Sequence, residues 1–242
     1  MRHGAETLPA AAGPFASPVA IRRTMRNERK RTSLLVLLWL SAIGVSGLLI
    51  DERVASWVYR SGFHRTVKHF YLISAVRAPG NFYFTLIIAA AIVIAYRRIS
   101  RAAVTLCLSG IIAGLFYTIT KWVVGRPRPA RAGQFFLSLP PNWDWFSGGL
   151  LGLFKSTHNL SFPSGHVCVA FASAAALQMA LGWWWPFLVA VAVAAERVLE
   201  GAHYVSDVIA AAGIGILAAF AADRLISWVE RKGSVQRRFP SH

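Results

Sequence analysis

Residues 197–222 read RVLEGAHYVSDVIAAAGIGILAAFAA, a short polar segment that runs directly into an apolar one. The apolar part, residues 208–222, is a candidate membrane-spanning helix. Arg197, His203 and Asp207 stand just before it. A cation at such a boundary is costly unless an anion or water is at hand. This stretch therefore predicts both a spanning helix and a binding site at its polar end.

Two further clusters of polar residues also lie beside apolar stretches. Lys121 and Arg128 follow one, and Phe162-Pro163-Ser164-Gly165-His166 precedes another. Arginine offers phosphate oxygens a planar fork of donors, and lysine offers them a compact point charge. Because two Arg, one Lys and two His gather in this way, a phosphate group is the simplest anion that satisfies them all. The three clusters together predict a phosphate pocket.

The composition is that of a membrane protein. Of the 242 residues, 55% are hydrophobic, and the mean hydropathy of +0.48 exceeds that of an ordinary soluble domain. Several apolar stretches are shorter than the ~20 residues that cross hydrocarbon, so their helices are expected to extend into the motif residues. The candidate spans are residues 33–50, 82–96, 102–120, 167–181, 183–195 and 208–222. We therefore expect an all-α integral membrane protein with six transmembrane helices and a helical-bundle core.

These spans divide the chain into three parts. Residues 1–32 are expected to form a basic and partly disordered cytoplasmic tail, residues 33–225 the six-span domain, and residues 226–242 a second basic cytoplasmic tail. The basic segment before the first span permits a cleaved signal peptide, but its length and the lack of a small-x-small site favour an uncleaved anchor. Cys107 and Cys168 fall in apolar stretches and are expected to be buried thiols without a disulfide.

The net charge of +16 indicates orientation in a membrane. The basic residues collect at span ends and in the tails, which favours anionic lipid and topology control over nucleic acid. Six spans put both tails on the side of Arg97, Arg98 and Arg101, and the positive-inside rule makes that side cytoplasmic. The three clusters then face the periplasm if the membrane is a bacterial inner membrane, and the lumen if it belongs to an organelle. The loop 51–81 is also basic, but its alternating apolar residues suit helix lying among lipid headgroups.

The three clusters together resemble the motifs of the type 2 phosphatidic acid phosphatase superfamily, which includes the vanadium haloperoxidases and bacterial acid phosphatases. The matching motifs are Lys121-(six residues)-Arg128-Pro129, Pro163-Ser164-Gly165-His166, and Arg197-(five residues)-His203-(three residues)-Asp207. The family usually has Ser where Glu196 stands, so one hydrogen bond to the phosphate is expected to differ. The resemblance implies a phosphatase that needs no metal or cofactor. Its substrate would be a membrane lipid phosphate such as phosphatidic acid, phosphatidylglycerophosphate, undecaprenyl pyrophosphate or lipid A.

Three residues have expected catalytic roles. His203 is the candidate nucleophile, since a neutral imidazole nitrogen can attack phosphorus and form a phosphohistidine. Asp207 follows by four residues, so one helix face can hold both, with the carboxylate accepting the other ring N–H. His166 is the candidate general acid for the departing lipid oxygen and later the base for water.

Other residues are expected to bind the phosphate or to lie around it. The expected phosphate-binding residues are Lys121, Arg128, Ser164, Gly165 and Arg197. Arg126 can add a phosphate contact, but a role as a headgroup anchor next to the membrane is favoured. Glu196 and Glu200 can pair with Arg197 or Lys121, or repel a second phosphate, and the sequence leaves these alternatives open. Three histidines are expected in loops or on the surface: His64, His69 and His158.

Some alternatives stay open at the level of sequence. The aromatic loop 130–161 either touches the lipid over the mouth of the site or is an ordinary interfacial cap. A phosphotransferase would pass the phosphoryl group from the histidine to a lipid or sugar hydroxyl. A non-catalytic lipid-binding or transport protein is disfavoured because a nucleophile, an orienting carboxylate and an acid are all present, and a vanadate-loaded peroxidase is improbable in a membrane. The sequence does not indicate the oligomeric state.

Overall fold

The computed structural model describes residues 36–47, 49–126, 128–129 and 160–238. The chain divides into two compact units, Met1–Leu40 and Ser41–His242, and every candidate site residue belongs to the second. The helices within the described ranges are α1 (Val36–Gly47), α2 (Asp51–Arg60), α3 (Phe63–His69), α4 (Tyr71–Ala75), a 3-10 turn (Ala78–Gly80), α5 (Phe82–Tyr96), α6 (Arg101–Val124), α7 (Gly165–Leu181), α8 (Trp185–Leu199) and α9 (Val205–Arg238).

The all-α prediction is confirmed in these ranges, whereas the count of six spans stays a prediction. Two helices are long and apolar enough to cross a bilayer, α6 with 24 residues and α9 with 28 residues up to Lys232. Helices α1, α5 and α7 are apolar but shorter. The helices do extend into the motif residues, as expected: α6 continues past Lys121, and α9 already includes Asp207. It also continues beyond residue 225, where the sequence predicted the domain to end.

Small side chains let the central helices α6, α7 and α9 pack closely. Ala113, Ala172 and Ala211 are fully buried where these helices meet, the composition that allows helix backbones to approach in membranes. Gly215 on α9 is an extreme case, since a Cβ there would lie 2.9 Å from the backbone nitrogen of Ala172. Large apolar side chains such as Leu188 are instead exposed on the outside of the bundle.

The alternating direction of the helices brings the motifs to one end of the bundle. Helices α6 and α8 end there, and α7 and α9 begin there. At the opposite end Arg101 ties the start of α6 to α9, donating hydrogen bonds to Asp223 at 2.8 Å and to Glu230 at 2.6 Å. Three motifs that are far apart in sequence can therefore contribute to one site.

The loop 51–81 folds into short helices, in agreement with its predicted helical pattern. Val58 and Val67 are buried, and the 3-10 turn packs on α7 through Gly80. A Cβ at Gly80 would lie 2.6 Å from the carbonyl oxygen of His166. The loop is therefore in contact with the end of the bundle that carries the motifs. Its location among headgroups stays a prediction.

Candidate active site

His203 lies in the short connection between α8 and α9 and is almost completely buried, with 3% of its surface exposed. Its Nδ1 is 2.7 Å from the carbonyl oxygen of Ser161. A carbonyl can only accept, so this contact assigns the ring proton to Nδ1 and leaves a lone pair on Nε2. The ring thus has the tautomer that attack by Nε2 requires.

Burial also fixes the charge of this ring. Desolvation lowers the pKa of His203 to about 4, although the nearby carboxylate of Asp207 acts in the opposite direction. The imidazole is therefore neutral at pH 7, the state in which it is nucleophilic.

The ring of His203 does not make the expected hydrogen bond to Asp207. Asp207 Oδ2 is 3.7 Å from Nδ1, too far for a hydrogen bond but near enough for electrostatic attraction. The carboxylate instead accepts the backbone N–H of Tyr204 at 2.9 Å and Arg126 Nη1 at 2.7 Å. Tyr204 is the N-cap of α9 and Asp207 is its third residue, N3. The hydrogen bond from the N-cap N–H to the N3 carboxylate is one half of a capping box. Asp207 Oδ2, which the four-residue spacing predicted as the acceptor for His203, thus accepts from the backbone at the start of α9 instead.

Lys121 and Arg128 converge on one carbonyl oxygen, that of Leu160. Lys121 Nζ donates to it at 3.3 Å and Arg128 Nε at 3.4 Å. The next residue, Ser161, donates its backbone N–H to the carbonyl of Arg126 at 2.7 Å. Since the carbonyl of Ser161 holds His203, this segment joins the first cluster to the third.

Two serine hydroxyls are buried beside these groups. Ser161 Oγ and Ser164 Oγ have no hydrogen-bond partner within the described part of the chain. An unsatisfied buried hydroxyl costs roughly 1–3 kcal/mol, so an oxyanion that hydrogen-bonds to both would remove an unfavourable term. Ser164 was predicted to bind phosphate, whereas Ser161 was not, because Ser161 precedes the motif and its burial cannot be inferred from the sequence.

Gly165 and His166 open helix α7. A Cβ at Gly165 would lie 3.1 Å from the Tyr117 ring, so α6 leaves little room for a side chain there. Burial lowers the pKa of the His166 imidazole to about 3, and the positive charges of Arg197, Arg77 and Lys121 act in the same direction. The second cluster therefore lies close enough to the first and third clusters for their charges to act on it.

Arg197 is buried and held by two carboxylates. Glu196 accepts Nε at 2.7 Å and Nη2 at 3.0 Å, a bidentate pair, and Glu200 also accepts from Nη2. Glu200 reaches Arg77 as well, at 3.4 Å. Of the alternatives that the sequence left open, both glutamates pair with Arg197. Nη1, which makes no hydrogen bond to another described residue, is the part of the guanidinium left to bind an anion.

The prediction that Arg126 anchors headgroups is wrong. Its side chain is buried among Asp51, Ser206 and Asp207, because the two carboxylates attract it into the protein more strongly than an exposed site could. Asp51 was missed by the sequence analysis. The only sequence signal for it is an acidic residue that directly follows an apolar stretch.

The remaining predicted residues lie near the site or outside the described ranges. His64 is partly buried and stacks on Tyr59 with a ring separation of 4.8 Å, and His69 is exposed. Cys168 is buried, as expected, and Cys107 is partly buried. His158, most of the aromatic loop 130–161 and the tail 1–32 lie outside the described residues.

Comparison with known families identifies the chain. A family model described as the PAP2 superfamily matches residues 102–231. No curated protein and no solved structure gives a significant match. The matched region contains all three motifs and the helices that carry them. The chain therefore belongs to the PAP2 superfamily, the type 2 phosphatidic acid phosphatases that its motifs resemble.

Proposed function

We propose that this protein is a lipid phosphate phosphatase that hydrolyses a phosphomonoester or pyrophosphate of a membrane lipid through a phosphohistidine on His203. Family membership supports phosphatase action on phosphoesters. The observation that carries the mechanism is the hydrogen bond from His203 Nδ1 to the carbonyl of Ser161 at 2.7 Å. It holds a neutral, buried imidazole with the Nε2 lone pair available for attack.

In the first step the Nε2 lone pair forms a bond to phosphorus while the bond from phosphorus to the lipid oxygen breaks. His166, once the bound phosphate dianion has brought its ring to the imidazolium form, gives a proton to that departing oxygen. The ring of His203 gains positive charge, and the carboxylate of Asp207, 3.7 Å from Nδ1, stabilises it. In the second step His166 takes a proton from water, the hydroxide attacks phosphorus, and the bond between nitrogen and phosphorus breaks.

The phosphate oxygens are held by groups that the protein brings together. Lys121, Arg128 and Nη1 of Arg197 supply positive charge to the three equatorial oxygens as negative charge spreads over them. The hydroxyls of Ser161 and Ser164 supply neutral donors. Because Glu196 and Glu200 balance the charge of Arg197, Lys121 and Arg128 provide most of the net attraction for a dianion.

The bundle supports a substrate that is held in a membrane. Large apolar side chains cover the outside of the bundle, including Leu115, Leu188 and Phe220. Trp183, Trp184 and Trp185 are exposed at the end opposite the site, where aromatic rings suit a headgroup boundary. Arg97, Arg98 and Arg101 lie at that same end, so the positive-inside rule favours a cytoplasmic location for it and a periplasmic site in a bacterial inner membrane.

Phosphate release from a panel of purified lipid phosphates in detergent tests this function. Activity is expected to survive EDTA, because the phosphate is held by cations of the protein, and to fall with orthovanadate, which mimics pentacoordinate phosphorus. Complete loss in EDTA that Mg²⁺ or Zn²⁺ restores would contradict the mechanism. Addition of an alcohol acceptor separates hydrolysis from transfer, since a phosphotransferase would yield a new phosphoester in place of free phosphate.

Thiol labelling tests the orientation. Tyr71 and Ile99 are 87% and 79% exposed at opposite ends of the bundle, so Tyr71→Cys and Ile99→Cys make a matched pair in a background without Cys107 and Cys168. An impermeant reagent is expected to label the cysteine at position 71 in intact spheroplasts and the one at position 99 only after lysis. The reverse pattern would put the site in the cytoplasm.

A further inference from the structure

A buried network of charges lies directly behind the candidate nucleophile. Arg126 donates from Nη2 to Asp51 Oδ2 at 2.8 Å and from Nη1 to Asp207 Oδ1 at 2.7 Å. Its exposed fraction is 8%, and those of Asp51 and Asp207 are 2% and 0%. One guanidinium is thus shared between two carboxylates away from solvent.

Asp51 also holds the start of helix α9. Its Oδ1 accepts the backbone N–H of Ser206 at 2.9 Å, and its Oδ2 accepts the hydroxyl of the same residue. The first N–H groups of a helix lack partners within the helix, and negative charge near them is stabilising. The Tyr204 ring stacks 3.8 Å from the guanidinium of Arg126. Asp51 therefore fixes both the helix that bears Asp207 and the arginine that binds it.

The network controls the charge that faces the histidine. Both oxygens of Asp207 are engaged, by Arg126 and by the Tyr204 N–H, so its 3.7 Å separation from His203 Nδ1 is set by these partners. An arginine shared with a second carboxylate neutralises Asp207 less than an arginine bound to it alone. More negative charge is then left to stabilise a ring that becomes cationic on phosphorylation.

We propose that Asp51 is a positioning residue for phosphoryl transfer, which acts through Arg126 and Ser206 on the Asp207–His203 pair without touching the phosphate. The inference rests on the proposed function. Asp51 lies outside the matched family region, residues 102–231, which contains its partners. The segment before the family core thus supplies part of the catalytic apparatus of this chain.

Asp51→Asn tests this role in the full-length protein in detergent, with Glu52→Gln on the same helix as the matched control, since Glu52 is exposed. Asp51→Asn keeps the shape of the side chain but removes its negative charge. The burst of nitrophenol from nitrophenyl phosphate is expected to slow by about 10²-fold, the typical effect of a displaced catalytic group. The inhibition constant of inorganic phosphate should change less than about twofold, because the groups that bind phosphate are untouched.

A second arm separates positioning from general structural support. In an Asp207→Asn background, Asp51→Asn is expected to cause little further loss, since residues that act as one unit are not additive. Full additivity, an unchanged burst rate, or a phosphate inhibition constant weakened as much as the burst would each overturn the proposal. Failure of the proposed function has a different signature, namely a wild-type protein that releases no phosphate from any substrate.

Ser206→Ala keeps the test decisive if Asp51→Asn does not yield folded protein. It removes the hydroxyl that donates to Asp51 and accepts from Arg126 at 2.7 Å, while every charge is retained. A burst roughly 5–30-fold slower with an unchanged phosphate inhibition constant is expected from the loss of these two hydrogen bonds. A burst equal to that of wild type would show that the network does not position His203.

Discussion

Replacement of His203 by alanine is expected to abolish phosphate release from every substrate, with a loss of roughly 10⁴–10⁶-fold, as for other enzymes that lose their nucleophile. The reason is that no phosphoenzyme can form. The ring is buried, its Nδ1 proton is held by the carbonyl of Ser161, and burial lowers its pKa to about 4. A methyl group in its place offers no lone pair to phosphorus.

Quenching in alkaline detergent after mixing with phosphorus-radiolabelled substrate measures the phosphoenzyme directly, because phosphohistidine survives alkali but not acid. Wild-type protein should carry an acid-labile label, His203→Ala should carry none, and the exposed His69→Ala should behave as wild type. The ring is a nucleophile only while it is neutral. The rate of phosphoenzyme formation by His203 should therefore be unaffected by protonation of this ring at pH 7 and should be lost as the pH falls toward its pKa of about 4. Label retained in His203→Ala would show that another residue attacks phosphorus.

Replacement of His166 by alanine is expected to impair substrates selectively. An alkyl alcohol leaves as a strongly basic alkoxide and needs a proton, whereas nitrophenolate leaves readily without one. General acid catalysis contributes about 10²–10⁴-fold, so an alkyl phosphate should lose that much in phosphorylation while a nitrophenyl ester loses far less. The 3-10 turn packs at Gly80 against the backbone carbonyl and Cβ of His166, which fixes the backbone from which this side chain extends.

The burst phase distinguishes the two roles proposed for His166. The same residue activates water in the second step. With nitrophenyl phosphate, the His166→Ala variant should therefore release nitrophenol in a rapid burst and then turn over slowly, while phosphate accumulates on His203. Equal losses in the burst for alkyl and nitrophenyl esters would mean that His166 only binds phosphate. Another proton donor for the leaving group would then have to be found.

The sequence predicted the helical fold and the family because both depend on local features. Apolar stretches form helices wherever they occur, and the residues of each motif are close neighbours, such as His203 and Asp207, four positions apart. The positions of Lys121 and His166 at helix ends followed from the change between apolar and polar sequence. The count of six spans stays a prediction, because α5, α7 and α8 are each shorter than a complete membrane crossing.

The partners of the charged residues were decided by the tertiary structure. Arg126 looked like a headgroup anchor because the carboxylates that bury it are distant, Asp51 by 75 positions and Asp207 by 81. Glu196 was recognised as a departure from the family pattern. Only the folded end of α8 shows that its carboxylate forms a bidentate pair with Arg197.

By itself the sequence determined the helical fold and the family, since composition and short-range spacing are sufficient for both, and it predicted which residues carry the chemistry. Only the tertiary structure decided that Ser161 holds the His203 proton and that Asp207 is shared with Arg126 and the start of α9. The physical reason is that a buried polar group must find a partner wherever the folded chain provides one. That choice depends on which helix ends meet in space, which spacing along the sequence does not encode.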